Sequence, residues 1–118
     1  MTPTNLLLTA ACVIAIAAGQ VLFKLGALAS NAAGDGAGLI ERYANPYLAA
    51  AIVVYAGATV LWVALLKSVP LNVAYPFIAL AFVLVPVLGA LFVGEALAWR
   101  HLVGGAVIAL GIWIVQSG

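Results

Sequence analysis

Val69-Pro70-Leu71-Asn72-Val73-Ala74-Tyr75-Pro76-Phe77 joins two long apolar runs. Before it stands Leu61-Trp62-Val63-Ala64-Leu65-Leu66-Lys67-Ser68, and after it the chain stays apolar as far as Gly94-Glu95. A plain helix crossing hydrocarbon avoids two prolines, an asparagine and a tyrosine so close together, because each disturbs the backbone ladder or carries a polar group into lipid. In a protein that moves something across a membrane, this stretch is expected to form part of the wall of the path.

The composition makes the membrane reading firm. Of 118 residues, 68% are hydrophobic and 6% are charged, whereas soluble domains average roughly 45–50% apolar and about 25% charged. So few charges do not cover the surface of a water-soluble fold. The length suits one domain, residues 1–118. A formal net charge of +1 gives no electrostatic footprint for a nucleic-acid partner. The one cysteine, Cys12, lies in an apolar run and reads as a small packed or lipid-facing residue. Neither metal-ligand spacing, nor a glycine loop for phosphates, nor a catalytic triad pattern is found, so no metal, cofactor or enzymatic chemistry is expected. The N-terminus, Met1-Thr2-Pro3-Thr4-Asn5, lacks a positive n-region, and the first apolar run reads as a retained span.

A transmembrane helix needs about 20 mostly apolar residues, and four segments qualify: 6–28, 46–67, 71–94 and 99–115, with 29–45 as linker. The expected fold is an all-α integral membrane protein of four transmembrane helices in a dimeric bundle, with both termini on one side.

In the first span Gln20 and Lys24 are four apart and share a helix face. Lys24 lies roughly 10 Å from the midplane at 1.5 Å per residue. It reads either as an anchor snorkelling to the interface or as a cation facing an interior groove that receives an anionic headgroup; Gln20 reads as helix glue or as part of the same groove. The linker is glycine-rich around residues 30–38 and reads as a flexible loop. Leu39-Ile40-Glu41-Arg42-Tyr43 within it reads as an interfacial loop or as one helical turn on the membrane surface. Asn45-Pro46 supplies a capping side chain and a first-turn proline for the second span, which holds Tyr55, Gly57, Thr59 and a deep Trp62, best read as packing. In the third span Pro76 and Pro86 each remove a backbone hydrogen bond, which predicts a bent, moving element with hinges at both. Tyr75 is an interfacial aromatic or a binding residue. Gly94-Glu95 to Arg100-His101 is a short turn in which Glu95 complements the fourth helix's N-terminus and pairs with Arg100; His101 has no evident partner. In the fourth span Gly104, Gly105 and Gly111 form a smooth stripe suited to close packing, read as a dimer interface or as packing within the chain. Lys24, Arg42 and Arg100 fall on one side and Lys67 on the other, which puts the termini outside; so slight a bias also suits a chain that inserts both ways and pairs head to tail.

Taken together, Gly19-Gln20 with Lys24, Leu61-Trp62 to Val69-Pro70, Ala74-Tyr75-Pro76, Gly94-Glu95, and Gly104 with Gly111 resemble the small four-span members of the drug/metabolite transporter superfamily (EamA-like), above all the paired subunits of the aminoarabinose-phosphoundecaprenol flippase. Small multidrug resistance exporters are more distant relatives. The resemblance covers the chain outside Ala29–Asn45. Those exporters carry a membrane-embedded glutamate shortly before the glycine matching Gly19, and Ile16 stands there in this chain. Asp35, Glu41 and Glu95 all fall in turns, so the hydrocarbon-buried lining is expected to be positive and hydrogen-bonding, without an acid. A cation/proton antiporter needs such an acid; a lipid flippase does not. The resemblance therefore implies a transporter of a lipid-linked sugar on a polyprenyl phosphate in a bacterial inner membrane. Gln20, Lys24, Asn72 and Tyr75 would meet the headgroup, and an antiparallel homodimer or a heterodimer with a similar subunit would work by alternating access. The rival readings are a small cation exporter with an unusual proton site and a non-transporting subunit that stabilises a glycosyltransferase.

Overall fold

A proline and a capping side chain start each of the first two spans. Thr2 Oγ1 accepts from the Asn5 N–H at 3.1 Å, with Pro3 in the first turn. Asn45 Oδ1 accepts from the Leu48 N–H at 3.0 Å, with Pro46 next to it. Each cap satisfies an amide that the helix leaves orphaned. The computed structural model describes residues 2–34, 36 and 38–117; Asp35 and Ala37, read above as parts of the linker, lie outside the described residues. Six helices follow in order: α1 (Pro3–Ala32), α2 (Leu39–Tyr43), α3 (Pro46–Leu66), α4 (Leu71–Ile78), α5 (Ala81–Phe92) and α6 (Trp99–Ser117), with no strand among the described residues. Four units are long and apolar enough to cross a bilayer: α1, α3, α4 together with α5, and α6. The chain is a multi-pass all-α membrane protein.

Two described parts of the linker are built into the fold. α1 runs on to Ala32 and ends where Gly34 takes a φ of 86°, a left-handed conformation that glycine adopts without a Cβ penalty. Leu39–Tyr43 is helical, which decides between its two readings. Arg42 on this turn donates to Gly34 O at 2.6 Å and to Ser30 O at 3.5 Å, so it closes the carbonyl end of α1. Leu39, Ile40 and Tyr43 stay exposed, as on a helix lying at an interface.

The third span is interrupted once. Pro76 has no N–H to return to Asn72 O. Just after it, Ala79 N–H bonds to Pro76 O at 3.1 Å and Leu80 N–H to Phe77 O at 3.0 Å, a tightened turn that separates α4 from α5. α5 then passes through Pro86 without a break. The interruption thus sits at Ala79–Leu80, downstream of one expected hinge, and the other expected hinge lies inside a continuous helix.

Small residues set the packing. α1 lies along α3, with Cys12, Ala17, Ala51 and Ala58 buried between elements. A Cβ on Gly19 would stand 2.4 Å from the Tyr55 ring, and one on Gly26 would stand 2.5 Å from Leu48 Cδ2 and 3.2 Å from Leu48 N. Between helices in lipid such close approach supplies the attraction, since lipid tails are as apolar as the side chains. At the end bearing the chain termini, Leu65, Val69 and Ala74 form a core under Leu8 and Trp62, and Ser68 Oγ donates to Asn5 Oδ1 at 3.2 Å. α6 stands at the side, burying only Gly105 and Ile112, and Gln116 Nε2 ties its end to Val73 O at 2.7 Å. The glycine stripe of α6 divides: Gly105 sits against Val83 within the chain, while Gly104 and Gly111 have open space before them. The chain measures 55 × 35 × 18 Å. With helix axes about 8–10 Å apart, 18 Å is too thin to enclose a central chamber.

The close α1–α3 contact yields a paired prediction. Gly26→Ala should lower the stability of the purified protein by about 1–3 kcal/mol through overpacking. Gly57→Ala, with nothing within 4 Å of its new methyl, should be neutral or stabilising by a few tenths of a kcal/mol. Thermal unfolding in detergent distinguishes the two; equal midpoints would contradict the packing described.

Candidate functional site

The candidate residues do not meet at one point. They stand at the two ends of a groove that runs down one face of the protein between α1, α3, α4 and α5. At the end bearing the chain termini, Asn72 and Tyr75 line a wide hollow with Trp62, Leu71 and Pro76. The Tyr75 and Trp62 rings meet edge to face, 6.4 Å between centroids, so Trp62 is both a packing residue and a wall. The hollow continues past Tyr55, Thr59 and Ile78 into an apolar middle lined by Ile16, Ile78, Phe82 and Pro86. Ile16, the position that holds the acid in small multidrug exporters, does face the groove, and it is apolar. The interruption at Ala79–Leu80 lies beside this middle portion.

At the linker end the groove closes into a cavity of about 220 Å³, lined by Gln20, Lys24, Pro86, Gly89, Glu95 and His101 among others. Lys24 is exposed to the cavity and makes no ion pair or hydrogen bond with another described residue. Gln20 is held: its Nε2 donates to Tyr55 OH, and Tyr55 is seated over Gly19 and against Phe23, 5.2 Å between ring centroids.

Glu95 is a correction to the expected acid-free lining. It belongs to the α5–α6 turn, yet the turn folds it back. Gly94 takes a φ of 81°, which reverses the chain at low cost for a residue without Cβ. The Glu95 N–H then returns to Gly89 O at 3.2 Å, and its side chain lies over Gly89, where a Cβ would be only 3.4 Å from Oε1. Glu95 makes no ion pair with Arg100 within 4.0 Å among the described residues, contrary to expectation. His101 does have a partner: its Nδ1 accepts from the Ala98 N–H at 2.9 Å, which caps α6 from its first turn. That bond leaves the ring proton of neutral His101 on Nε2.

Tyr55, Glu95 and His101 are thus site residues that the linear order did not disclose. Glu95 had a usable signal in the two glycines, Gly89 and Gly94, that permit its return. Tyr55 had none, because its partners Gly19 and Gln20 lie on another helix. The coupling is measurable: Tyr55→Phe and Gln20→Ala should each cost about 0.5–1.5 kcal/mol of stability, and the double variant clearly less than their sum. Strict additivity in chemical denaturation would show that the hydrogen bond contributes nothing.

No family model matches the chain, and no solved structure matches it. Proteins named "Probable 4-amino-4-deoxy-L-arabinose-phosphoundecaprenol flippase subunit ArnE" do match. Those of Yersinia pestis (strain Pestoides F) and Yersinia pseudotuberculosis serotype O:3 (strain YPIII) are each 42% identical over 70 residues, 59% of this chain. The match spans 61% of the length of each Yersinia relative. The protein of that name in Hamiltonella defensa subsp. Acyrthosiphon pisum (strain 5AT) is 32% identical over 78 residues, 66% of this chain and 70% of the relative. Alike over more than two thirds of that relative, and built of four membrane-crossing units, the chain belongs to the ArnE family.

Proposed function

We propose that the chain is a flippase subunit that carries a lipid-linked sugar, a polyprenyl-phosphate glycolipid, across the bacterial inner membrane. The observation that carries this reading is the groove: polar at both ends, apolar in the middle and open along its side. A headgroup can move in such a groove while its long tail stays in lipid. Lys24 and Gln20 suit the phosphate at the linker end, since a cation and an amide donor give charge-assisted hydrogen bonds to an anion. Asn72 and Tyr75 offer hydrogen bonds to a sugar at the other end. Pro76 and Pro86 free the carbonyls of Asn72 and Phe82, both at groove-lining residues, and these can accept from sugar hydroxyls. The interruption at Ala79–Leu80 lets α4 and α5 tilt separately and widen the apolar middle. This supports an alternating-access cycle.

The relatives are named as subunits, and the outward-facing Gly104 and Gly111 on the sparsely covered α6 suit a contact with a second protomer. A similar subunit or a second copy, in antiparallel or parallel arrangement, would complete the groove. Lys24, Arg42 and Arg100 lie at the linker end, a bias that supports a cytoplasmic position for that end. A cation exporter is served less well, because the cavity that contains Glu95 also contains Lys24, which repels a cationic substrate.

The test uses membrane vesicles from the native organism, with the gene intact or deleted, and a polyprenyl-phosphate sugar labelled for an impermeant reagent. Deletion should abolish transfer between leaflets; equal transfer with and without the gene overturns the reading. Restoring the gene as Lys24→Ala should lower transfer about ten-fold, the loss of one charge-assisted hydrogen bond, with the amount of protein in the membrane unchanged. Full transfer in that variant would return Lys24 to a snorkelling anchor.

A further inference from the structure

Behind α5, on the side turned away from the groove, lies a separate cleft. Val85 and Gly89 of α5 face the linker-end cavity, whereas Val83 and Val87 face a space of about 300 Å³ between α5 and α6. The two helices touch where Gly105 meets Val83, whose methyls would stand 3.4 Å from an added Cβ. Beside that contact α6 presents Ala106 and Ala109, whose single methyls are too short to fill the gap; both residues are exposed. An apolar gap of this kind stays dry, and its walls forfeit dispersion contacts until something fills it. Both helices belong to membrane-crossing units, so the medium at the cleft is hydrocarbon and the filler is a hydrocarbon chain.

The linker end of the cleft carries groups suited to a phosphate. His101 is the polar side chain in its wall. With Nδ1 engaged by the Ala98 N–H, the neutral ring offers its proton at Nε2. Arg100, beside it in sequence, is exposed and makes no ion pair within 4.0 Å and no hydrogen bond with another described residue. Lys24 and Glu95 offset each other in the neighbouring cavity, which leaves Arg100 as the uncompensated charge of this corner. Trp99, 73% exposed at the start of α6, marks the level as the membrane–water interface. A phospholipid's phosphate stands at that same level. We propose that the α5–α6 cleft is a site for one anionic phospholipid, phosphatidylglycerol in kind. Its acyl chain lies against Ala106 and Ala109, and its phosphate accepts from His101 Nε2–H and from the Arg100 guanidinium, whose fork suits phosphate oxygens. The bound chain backs α5 on the face away from the groove. The proposal does not depend on what the groove transports.

Native mass spectrometry of the purified chain tests the site, with phosphatidylglycerol or phosphatidylcholine of identical acyl chains added to the micelles. One phosphatidylglycerol per chain should be retained, at least about ten-fold more tightly than phosphatidylcholine, the value of one charge-assisted hydrogen bond. Arg100→Gln should bring the ratio of the two affinities to about one. Ala106→Leu fills the cleft and leaves the head site alone, so it should weaken both lipids by the same factor and keep their ratio. Ala109→Leu, one turn further along α6, should do the same and guards against a fault peculiar to one variant. A ratio near one in the unaltered protein overturns the proposal. So does retention that neither leucine variant changes, since the lipid is then bound elsewhere. A polyprenyl phosphate that displaces the phospholipid, and itself loses binding in both leucine variants, also overturns it, because the cleft then belongs to the tail of the transported lipid. The flippase reading is decided separately, by the transfer assay.

Discussion

The close approach of α1 to α3 over Gly19 and Gly26 is the constraint on which the rest depends. Lipid offers no hydrophobic reward for bringing two apolar helices together, so surfaces that fit and backbones that can touch must supply the attraction. The two glycines let Tyr55 and Leu48 of α3 lie directly on the α1 backbone. With Tyr55 seated there, its hydroxyl holds Gln20 beside Lys24. The tight pair also leaves the third span, itself divided at Ala79–Leu80, to lean across one side, and the gap between them is the groove. α6 is excluded from this contact and keeps most of its apolar surface outward.

Along that groove chemistry changes with position. The linker end has two opposite charges, an amide and an imidazole. The middle has Ile16, Ile78 and Phe82. The far end has Asn72 and an edge-to-face Tyr75–Trp62 pair. Polar groups at each end, with Tyr55 and Thr59 the polar side chains along the mostly apolar stretch between them, leave a partial barrier in the middle of the groove. The helix interruption lies beside the barrier, where a change in tilt has most effect on width.

Much of this was legible in the linear order. Runs of about 20 apolar residues have one stable form in lipid, because every backbone amide must be satisfied within its own segment; hence the spans. Asn45-Pro46 and the polar breaks at 67–70 and 94–98 set boundaries through local capping chemistry. Glu95 stands in a turn as its sequence neighbours indicate, but its place on the cavity wall follows from a backbone reversal at Gly94 and a vacancy over Gly89. Pro76 frees the Asn72 carbonyl in the turn that precedes it, yet the tightened turn that divides the span falls at Ala79–Leu80, and at Pro86 the helix continues. The role of Tyr55 has no mark in the linear order, because it exists only across two helices. Gln20, Lys24, Asn72 and Tyr75 do not form one lining: α1 and α4 run in the same direction, but the first pair stands late in α1 and the second at the start of α4, which sets them at opposite ends.

Cysteine accessibility in intact membranes tests the central claim, that a solvated cavity lies between α1 and α5 at the linker end. In a Cys12→Ser background, Val21→Cys and Val85→Cys face that cavity, whereas Val53→Cys and Val60→Cys sit on the outer surface of α3, where Val53 and Val60 are 70% and 69% exposed in the bare chain. An impermeant thiol reagent applied to both membrane faces should label the first pair rapidly and leave the lipid-covered second pair unreacted. Labelling of all four at one rate, or protection of Val21→Cys and Val85→Cys, would contradict the account.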